Sequence, residues 1–147
     1  MKLEDQFELL DEYDKTSNGH YYANDVPTAG RLLGRLTSEQ RKRYPVATGF
    51  LDYFPDAIAL VAHLSWAAGA KHHPGEPTHW ERSKSTDQPD CLARHLIERD
   101  GSDYITLENG EVVEIPHRVA MAWRAMAELQ IWAEGKYNLS LPPGARP

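Results

Sequence analysis

The densest group of reactive side chains in this sequence lies between Lys71 and His95, a segment of 25 residues. It contains four histidines, the acidic pair Asp87 and Asp90, and several cations. Imidazoles and carboxylates hold divalent metals, whereas arginine, lysine and backbone amides hold anions. A segment needed only for folding would be more apolar and more periodic. The segment therefore predicts a site for an anion, a divalent metal ion, or both.

Three carboxylates follow one face of a helix predicted from about Gln88 onward. Asp87 and Asp90 lie one turn apart, and Glu98 lies further along the same face. Carboxylates at this spacing can share a hard cation, so Asp87, Asp90 and Glu98 are our predicted ligands for Mg²⁺ or Mn²⁺. The structural alternative is that Asp87 caps the helix and Asp90 pairs with Arg94 at i+4.

Cations and a hydroxyl group surround the start of the same helix. Arg82, Lys84 and Ser85 precede it, and Arg94 lies on the face that carries the carboxylates. The free amides and the dipole of a helix N-terminus attract phosphate. We therefore predict substrate contacts at these four residues and at Lys71. The alternative is that the cations are ordinary surface charges.

Histidines flank the Pro74–Gly75 turn. His72, His73 and His79 could ligate a transition metal, but a closed zinc site usually has more regularly spaced ligand pairs. We predict instead that His73 and His79 hydrogen-bond the substrate or the loop backbone.

Three further residues have both a functional and a structural interpretation. Trp80 could stack on a nucleobase or cover the core. His95 and His117, within one predicted helix and at the start of another, could be structural or could act as a general acid and base near neutral pH. We assign Trp80 to the substrate site and both histidines to catalysis.

The overall composition limits the class of protein. The length of 147 residues predicts one domain, and the net charge of −6 disfavours long nucleic acids as partners. The single cysteine, Cys91, excludes an intrachain disulfide. The longest apolar stretch is too short to span a bilayer, and no signal peptide is recognisable. We expect no membrane association and a cytoplasmic location. Walker A, GxGxxG, HExxH, nucleophile-elbow and CxxC motifs do not occur.

The hydrophobic pattern predicts a mostly α fold, a compact helical domain of about four helices with one inserted β-hairpin at about 103–115. A further short helix is predicted to begin near Thr37. The hairpin rests on Asn109-Gly110, which favours a type I′ turn. We place the domain at residues 1–138 and expect residues 139–147 to form a poorly ordered tail. The predicted helices cover residues 1–14, 56–70, 88–99 and 117–134. The predicted core consists of Trp66, Leu92, Leu96, Trp123, Met126 and Leu129.

Several segments together resemble a known family. The sequence HHPGEPTHWERSKSTDQPDCLARH, with YPVATGFLDYFPDAIALVAHLS before it and HRVAMAWRAMAELQ after it, resembles a phage-type domain. That domain is described as the N-terminal domain of dATP/dGTP diphosphohydrolases, and the resemblance covers residues 45–130. The chain departs from the family in its 103–115 hairpin, where other members have a shorter link. The all-α pyrophosphohydrolase-like domain of two-part members does not follow within these 147 residues.

The resemblance implies a phage nucleotide-handling protein in the cytoplasm of an infected bacterium. Its expected activity is metal-dependent hydrolysis of a purine (deoxy)nucleoside triphosphate to monophosphate and pyrophosphate. An alternative is a non-catalytic module that sequesters a nucleotide or a nucleotide-derived immune signal. A homo-oligomer that exchanges the hairpin between subunits is compatible with both, and we expect a homo-oligomer.

Overall fold

The computed structural model describes residues 30–147. The helix predicted for residues 1–14 lies outside this range. Within it, the predicted mostly α architecture with one inserted hairpin is confirmed. No helix of this part of the chain is long and apolar enough to cross a membrane. The α-helices are α1 (Ser38–Arg41), α2 (Pro55–His72), α3 (Gln88–Ile97) and α4 (His117–Tyr137). The strands are β1 (Trp80–Glu81), β2 (Ser102–Thr106), β3 (Val112–Pro116) and β4 (Ala145–Arg146).

The helices begin where the sequence chemistry places them. Pro55 occupies the first turn of α2, where its fixed φ suits the helix and its missing N–H is not needed. Thr37 caps α1 through a capping box with Gln40. The start of α4 depends on the hairpin, because His117 directly follows β3 and its N–H donates to the carbonyl of Gly101 at 3.0 Å. His117 is thereby fixed at the junction of hairpin and helix.

The hairpin is antiparallel, with Ser102 opposite Pro116 and Thr106 opposite Val112. Its predicted type I′ turn is wrong. That turn needs positive φ at both central residues, and of the pair Asn109-Gly110 only Gly110 has positive φ (85°). The connecting loop is instead longer and closed by the glycine.

The core is built from small and β-branched residues. Ala67 of α2 belongs to one buried cluster with Val113 and Ile115 of the hairpin and with Val119 and Ala120 of α4. Both helices contribute an alanine to this cluster, so neither places a bulky side chain there.

Most of the predicted core is wrong. Trp66, Leu96, Met126 and Leu129 are between 43% and 54% exposed. The hairpin packs against the face of α4 that carries Val119 and Ala120. The larger side chains of α4, Met126 and Leu129, therefore lie on its exposed side. Periodicity alone could not reveal this, because α4 has apolar residues on more than one face.

The chain end, for which we predicted poor order, is placed against the loop that follows α2. β4 pairs in parallel with β1, with Trp80 opposite Ala145 and Glu81 opposite Arg146. The N–H of Trp80 donates to the carbonyl of Gly144 at 2.7 Å. These hydrogen bonds fix Trp80 and Glu81, two residues of the candidate site described below.

A bidentate ion pair links the short turn after β1 to the last helix. Arg82 donates to both carboxylate oxygens of Glu134, at 2.9 and 2.7 Å, and the two side chains are only 17% and 14% exposed. Gln130 donates to the same carboxylate at 2.8 Å. Burial acts to raise the pKa of Glu134, but the hydrogen bonds from Arg82 and Gln130 outweigh it, so the pKa is lowered.

We predict that Arg82→Ala destabilises the protein by about 2–3 kcal/mol at pH 7, because it leaves a half-buried carboxylate without its cation. Since the folded-state pKa of Glu134 lies below its ordinary value of 4.5, the stabilisation is complete above that pH. It is lost as the pH falls further. Urea unfolding of both proteins at several pH values should show the difference shrinking below pH 4.5.

The matched control is Arg118→Ala, which removes an exposed ion pair with Asp100 at 2.8 Å. We expect less than about 0.5 kcal/mol from it. An Arg82→Ala effect as small as the control effect would contradict a structural role for the Arg82–Glu134 pair.

Candidate functional site

A cavity of about 580 Å³ lies between α2, α3, α4, the hairpin and the segment around β1. Its walls combine apolar residues with an unusual number of ionisable groups. This volume is within the range of pockets that bind small molecules. The ionisable residues that line it are His72, His73, His79, Glu81, Lys84, Arg94, His95, Asp103 and Arg124.

The cavity brings together about half of the residues predicted for the site. Those that line it are His73, His79, Trp80, Lys84, Ser85, Arg94 and His95. Those that do not are Lys71, Arg82, Asp87, Asp90, Glu98 and His117. His117 is nonetheless part of the same arrangement, because it contacts His95 directly.

His95 and His117 form a buried pair. Their Nδ1 atoms are 2.9 Å apart, and the two residues are 4% and 7% exposed. Carboxylates flank His117, with Glu98 Oε2 3.6 Å from its Nε2 and Asp103 Oδ2 3.7 Å from its Nδ1. One of the two Nδ1 atoms donates and the other accepts. In the tautomer with a proton on Nε2 of His117, facing Glu98, the donor is Nδ1–H of His95.

Burial lowers the pKa of His95, and the nearby positive charge of Arg94 lowers it further. His95 is therefore neutral at pH 7, with a lone pair on the nitrogen that does not face His117. A neutral imidazole that lines a cavity can take a proton or bind a metal ion. Asp103 completes a group of three with His95 and His117 whose ligand atoms lie within 4.8 Å of one another, so metal binding is open to this cluster as well.

The predicted carboxylate site for a metal is not assembled. Among residues 30–147, two groups of three histidines and carboxylates come within 4.8 Å, and neither includes Asp87, Asp90 or Glu98. Asp87 instead accepts hydrogen bonds from Ser85 Oγ at 3.1 Å and Cys91 Sγ at 3.5 Å, which lower its pKa. Its side chain makes no capping hydrogen bond to the helix. The helix also ends at Ile97, so Glu98 is a C-cap residue rather than the next position of a helical row.

Arg82, predicted to contact phosphate, binds a carboxylate of the protein instead. Both of its terminal nitrogens donate to Glu134, and its guanidinium lies 4.1 Å from the ring centroid of Trp80. Trp80 in turn meets Trp123 edge to face at 5.4 Å. Trp80 and Trp123 are half-buried and line the cavity, so both interpretations of Trp80, packing and ligand contact, are compatible with its position.

Sequence reasoning missed Arg124. Its guanidinium donates to Ser85 Oγ at 2.8 Å and to Gln88 Oε1 at 2.9 Å, and it lines the cavity. Gln88 is 1% exposed and donates in turn to the carbonyl of Ser85. A signal was present in the sequence, because Arg124 lies two turns after His117 on the same helical face. An arginine on the face that carries a catalytic candidate is a candidate itself.

No family model matches the chain, and no curated protein or solved structure does so either. The resemblance to the diphosphohydrolase domain therefore stays an expectation from the sequence.

We predict that Arg124→Lys destabilises the protein by about 1–2 kcal/mol. Both hydrogen bonds come from Nη1 of Arg124. The shorter side chain of a lysine places its ammonium group short of that position, so the buried amide of Gln88 loses a charged donor. Chemical denaturation would measure this. The control is Arg99→Lys, an exposed arginine that bonds only the Leu96 carbonyl, from which we expect no measurable change. Equal effects of the two substitutions would show that the Arg124 contacts add nothing specific.

Proposed function

We propose that the cavity binds a purine (deoxy)nucleoside triphosphate and hydrolyses it to the nucleoside monophosphate and pyrophosphate. One observation carries the proposal: three cationic side chains line a single cavity together with His95, whose ring is hydrogen-bonded to the buried His117. This combination suits an anionic substrate that reacts by proton transfer.

The charge of the lining supports binding of a polyphosphate. Lys84, Arg94 and Arg124 contribute three positive charges, against the two carboxylates Glu81 and Asp103. Arg94 and Lys84 are largely exposed, so they are free to follow a phosphate chain. Arg124 donates hydrogen bonds to neutral partners, Ser85 and Gln88, and the nearby Asp87 carboxylate compensates its charge only through a longer-range interaction.

The aromatic wall supports binding of a base. Trp80 and Trp123 line the cavity beside the cations, and aromatic side chains stack on every nucleobase. The purine preference in our proposal rests on the family resemblance alone. The phage origin and the cytoplasm of an infected host rest on it as well.

The histidine pair gives a complete route for the proton. The free nitrogen of His95 accepts a proton from water as the water oxygen attacks the α-phosphorus, and the bond to the bridging oxygen breaks to release pyrophosphate. The Nδ1 proton of His95 then passes to Nδ1 of His117. Asp103 and Glu98 stabilise the resulting imidazolium. A divalent ion bound with the nucleotide, Mg²⁺ or Mn²⁺, supplies neutralising charge to the phosphate oxygens.

A non-catalytic capture module is the second candidate. It is favoured by the position of Asp87 and Asp90, which lie outside the cavity and so leave it with fewer carboxylates than a carboxylate-based hydrolase would use. A lining with more cations than carboxylates retains an anion without any need to cleave it.

We also propose that the chain forms a homo-oligomer. Large apolar side chains on two helices are half-exposed, among them Leu60 and Trp66 of α2 and Met126 and Leu129 of α4. Exposed large apolar side chains are found at association interfaces.

The proposed hydrolysis predicts measurable turnover. Incubation with a nucleotide panel and Mg²⁺ or Mn²⁺, followed by mass spectrometry, should give monophosphate and pyrophosphate from a purine nucleotide. His95→Gln should lower kcat by about 10²–10⁴-fold, the range for loss of a general base, while the nucleotide still binds. The matched control is His63→Gln, a partly stacked histidine outside the cavity, which should leave kcat unchanged.

Each other outcome has a definite meaning. An intact nucleotide recovered only after heat release would establish the capture module and exclude the hydrolase. Turnover that His95→Gln leaves unchanged would exclude the proposed proton route.

The proposed homo-oligomer predicts a molar mass above that of the monomer. Light scattering after gel filtration should give a multiple of the 16.7 kDa monomer mass, and Leu129→Lys with Met126→Lys should shift it toward the monomer. Glu128→Lys, on the same helix but not apolar, should leave the mass unchanged. A monomeric wild-type protein at micromolar concentration would contradict the oligomer.

A further inference from the structure

We infer that His73, His79 and Glu81 form a binding site for a divalent transition-metal ion on the wall of the cavity. The inference goes beyond the proposed hydrolysis and does not depend on it. It rests on the donor atoms of three residues that line the cavity and whose ligand atoms lie within 4.8 Å of one another.

The strongest observation is a buried nitrogen without a partner. The side chain of His79 is only 6% exposed. Its Nδ1 lies 3.0 Å from the carbonyl oxygen of Pro77, which can only accept, so Nδ1 carries the proton and donates. Nε2 is then left with a lone pair that is buried and makes no hydrogen bond. A buried acceptor without a donor is unfavourable unless a ligand occupies it.

Glu81 lies at the distance expected of a second ligand. Its Oε2 is 3.9 Å from Nε2 of His79, which is too long for a hydrogen bond. Two metal bonds of about 2.0–2.2 Å at an open angle span that separation. His73 supplies the third donor, since its ring centroid is 4.5 Å from that of His79.

The hydrogen bond to Pro77 fits the same interpretation. Histidines that bind metal ions almost always donate their other ring N–H to a carbonyl or carboxylate, which fixes the tautomer and the ring. His79 has that arrangement, with Nδ1 donating to the carbonyl of Pro77. Glu81 is fixed as well, because it belongs to β1 and pairs with Arg146 of β4.

A protonated His79 between two glutamates is the alternative explanation, and the contacts do not favour it. Glu76 Oε2 is 3.9 Å from Nδ1, as far as Glu81 is from Nε2, so neither carboxylate makes a hydrogen-bonded ion pair. Glu76 is engaged by Arg146 at 3.1 Å, and Nδ1 by Pro77.

The donor set indicates the class of metal. Two imidazole nitrogens and one carboxylate oxygen suit Zn²⁺, Co²⁺ or Mn²⁺, whereas Mg²⁺ prefers oxygen ligands and retains its water. Three protein ligands leave at least one coordination position open, as in catalytic rather than structural zinc sites. Because all three ligands line the cavity, a molecule bound there can occupy that position.

The experiment measures metal binding without any nucleotide. Untagged protein is stripped with a chelator and titrated with Zn²⁺ and with Co²⁺, by calorimetry and by visible absorption of bound Co²⁺. We expect a bound ion whose affinity falls at least about 10–100-fold in both His79→Gln and Glu81→Gln, since even loss of an outer-shell partner has that effect. Zn²⁺ should also raise the Tm of the wild-type protein more than that of either variant.

Two controls keep the result specific. His72→Gln removes a cavity-lining histidine that is not in the group, and Asp103→Asn disables the other group, formed with His95 and His117. Both should retain the ion and the Co²⁺ spectrum. Circular dichroism spectra establish whether the variants are folded. If His79→Gln does not fold, Glu81→Gln alone is used to test the site.

The inference is overturned if folded His79→Gln and Glu81→Gln bind Zn²⁺ as tightly as the wild-type protein. It is overturned equally if Asp103→Asn alone loses the ion, which would place the metal at His95, Asp103 and His117. Absence of nucleotide turnover leaves the titration unaffected, so failure of the proposed hydrolysis and failure of the metal site are told apart.

Discussion

The site depends on the antiparallel packing of α3 against α4, which two polar contacts hold in register. His95 meets His117, and two turns away Gln88 meets Arg124. The spacing is seven residues on each helix, about 10 Å of helix length, so the two contacts repeat on matching faces. Each contact buries polar atoms that must find their partner, so a shift of one helix along the other would break both. This constraint fixes the catalytic candidates and the main cation of the cavity together.

The hairpin and β4 position the remaining polar residues of the cavity. β3 runs directly into α4, and the hydrogen bond from His117 to Gly101 ties the first residue of the helix to the start of the hairpin. Asp103 thereby reaches the histidine pair from β2. On the other side of the cavity, β4 holds β1 and so Glu81. Asp103, His117 and Glu81 are therefore carried by elements with fixed hydrogen bonds, whereas His79 lies on the loop between α2 and β1, where the carbonyl of Pro77 orients its ring.

Local signals in the sequence predicted the elements, and contacts between distant residues decided the site. Pro55 and Asn109-Gly110 act through their own backbone and marked the helix and the hairpin correctly. Arg82 is bound by Glu134, 52 residues away in the sequence, and Arg124 by Gln88, 36 residues away. Neither partner could be read from the local sequence. The predicted row of Asp87, Asp90 and Glu98 failed to converge for a similar reason. Helical periodicity predicts which residues lie on the same face of a helix. Tertiary packing determines which other residues that face contacts.

The two groups of histidines differ in one physical respect that separates their roles. In the pair of His95 and His117, each Nδ1 is satisfied by the other, and burial keeps His95 neutral. This pair is suited to moving a proton and is stable without an ion. In His79 the carbonyl of Pro77 satisfies one nitrogen and leaves the other buried without a partner. The lone pair of that nitrogen requires a hydrogen-bond donor or a metal ion, and the Glu81 carboxylate, 3.9 Å away, is itself an electron-pair donor. A metal ion between His79 and Glu81 satisfies both, which makes proton transfer and metal binding separable properties of one cavity.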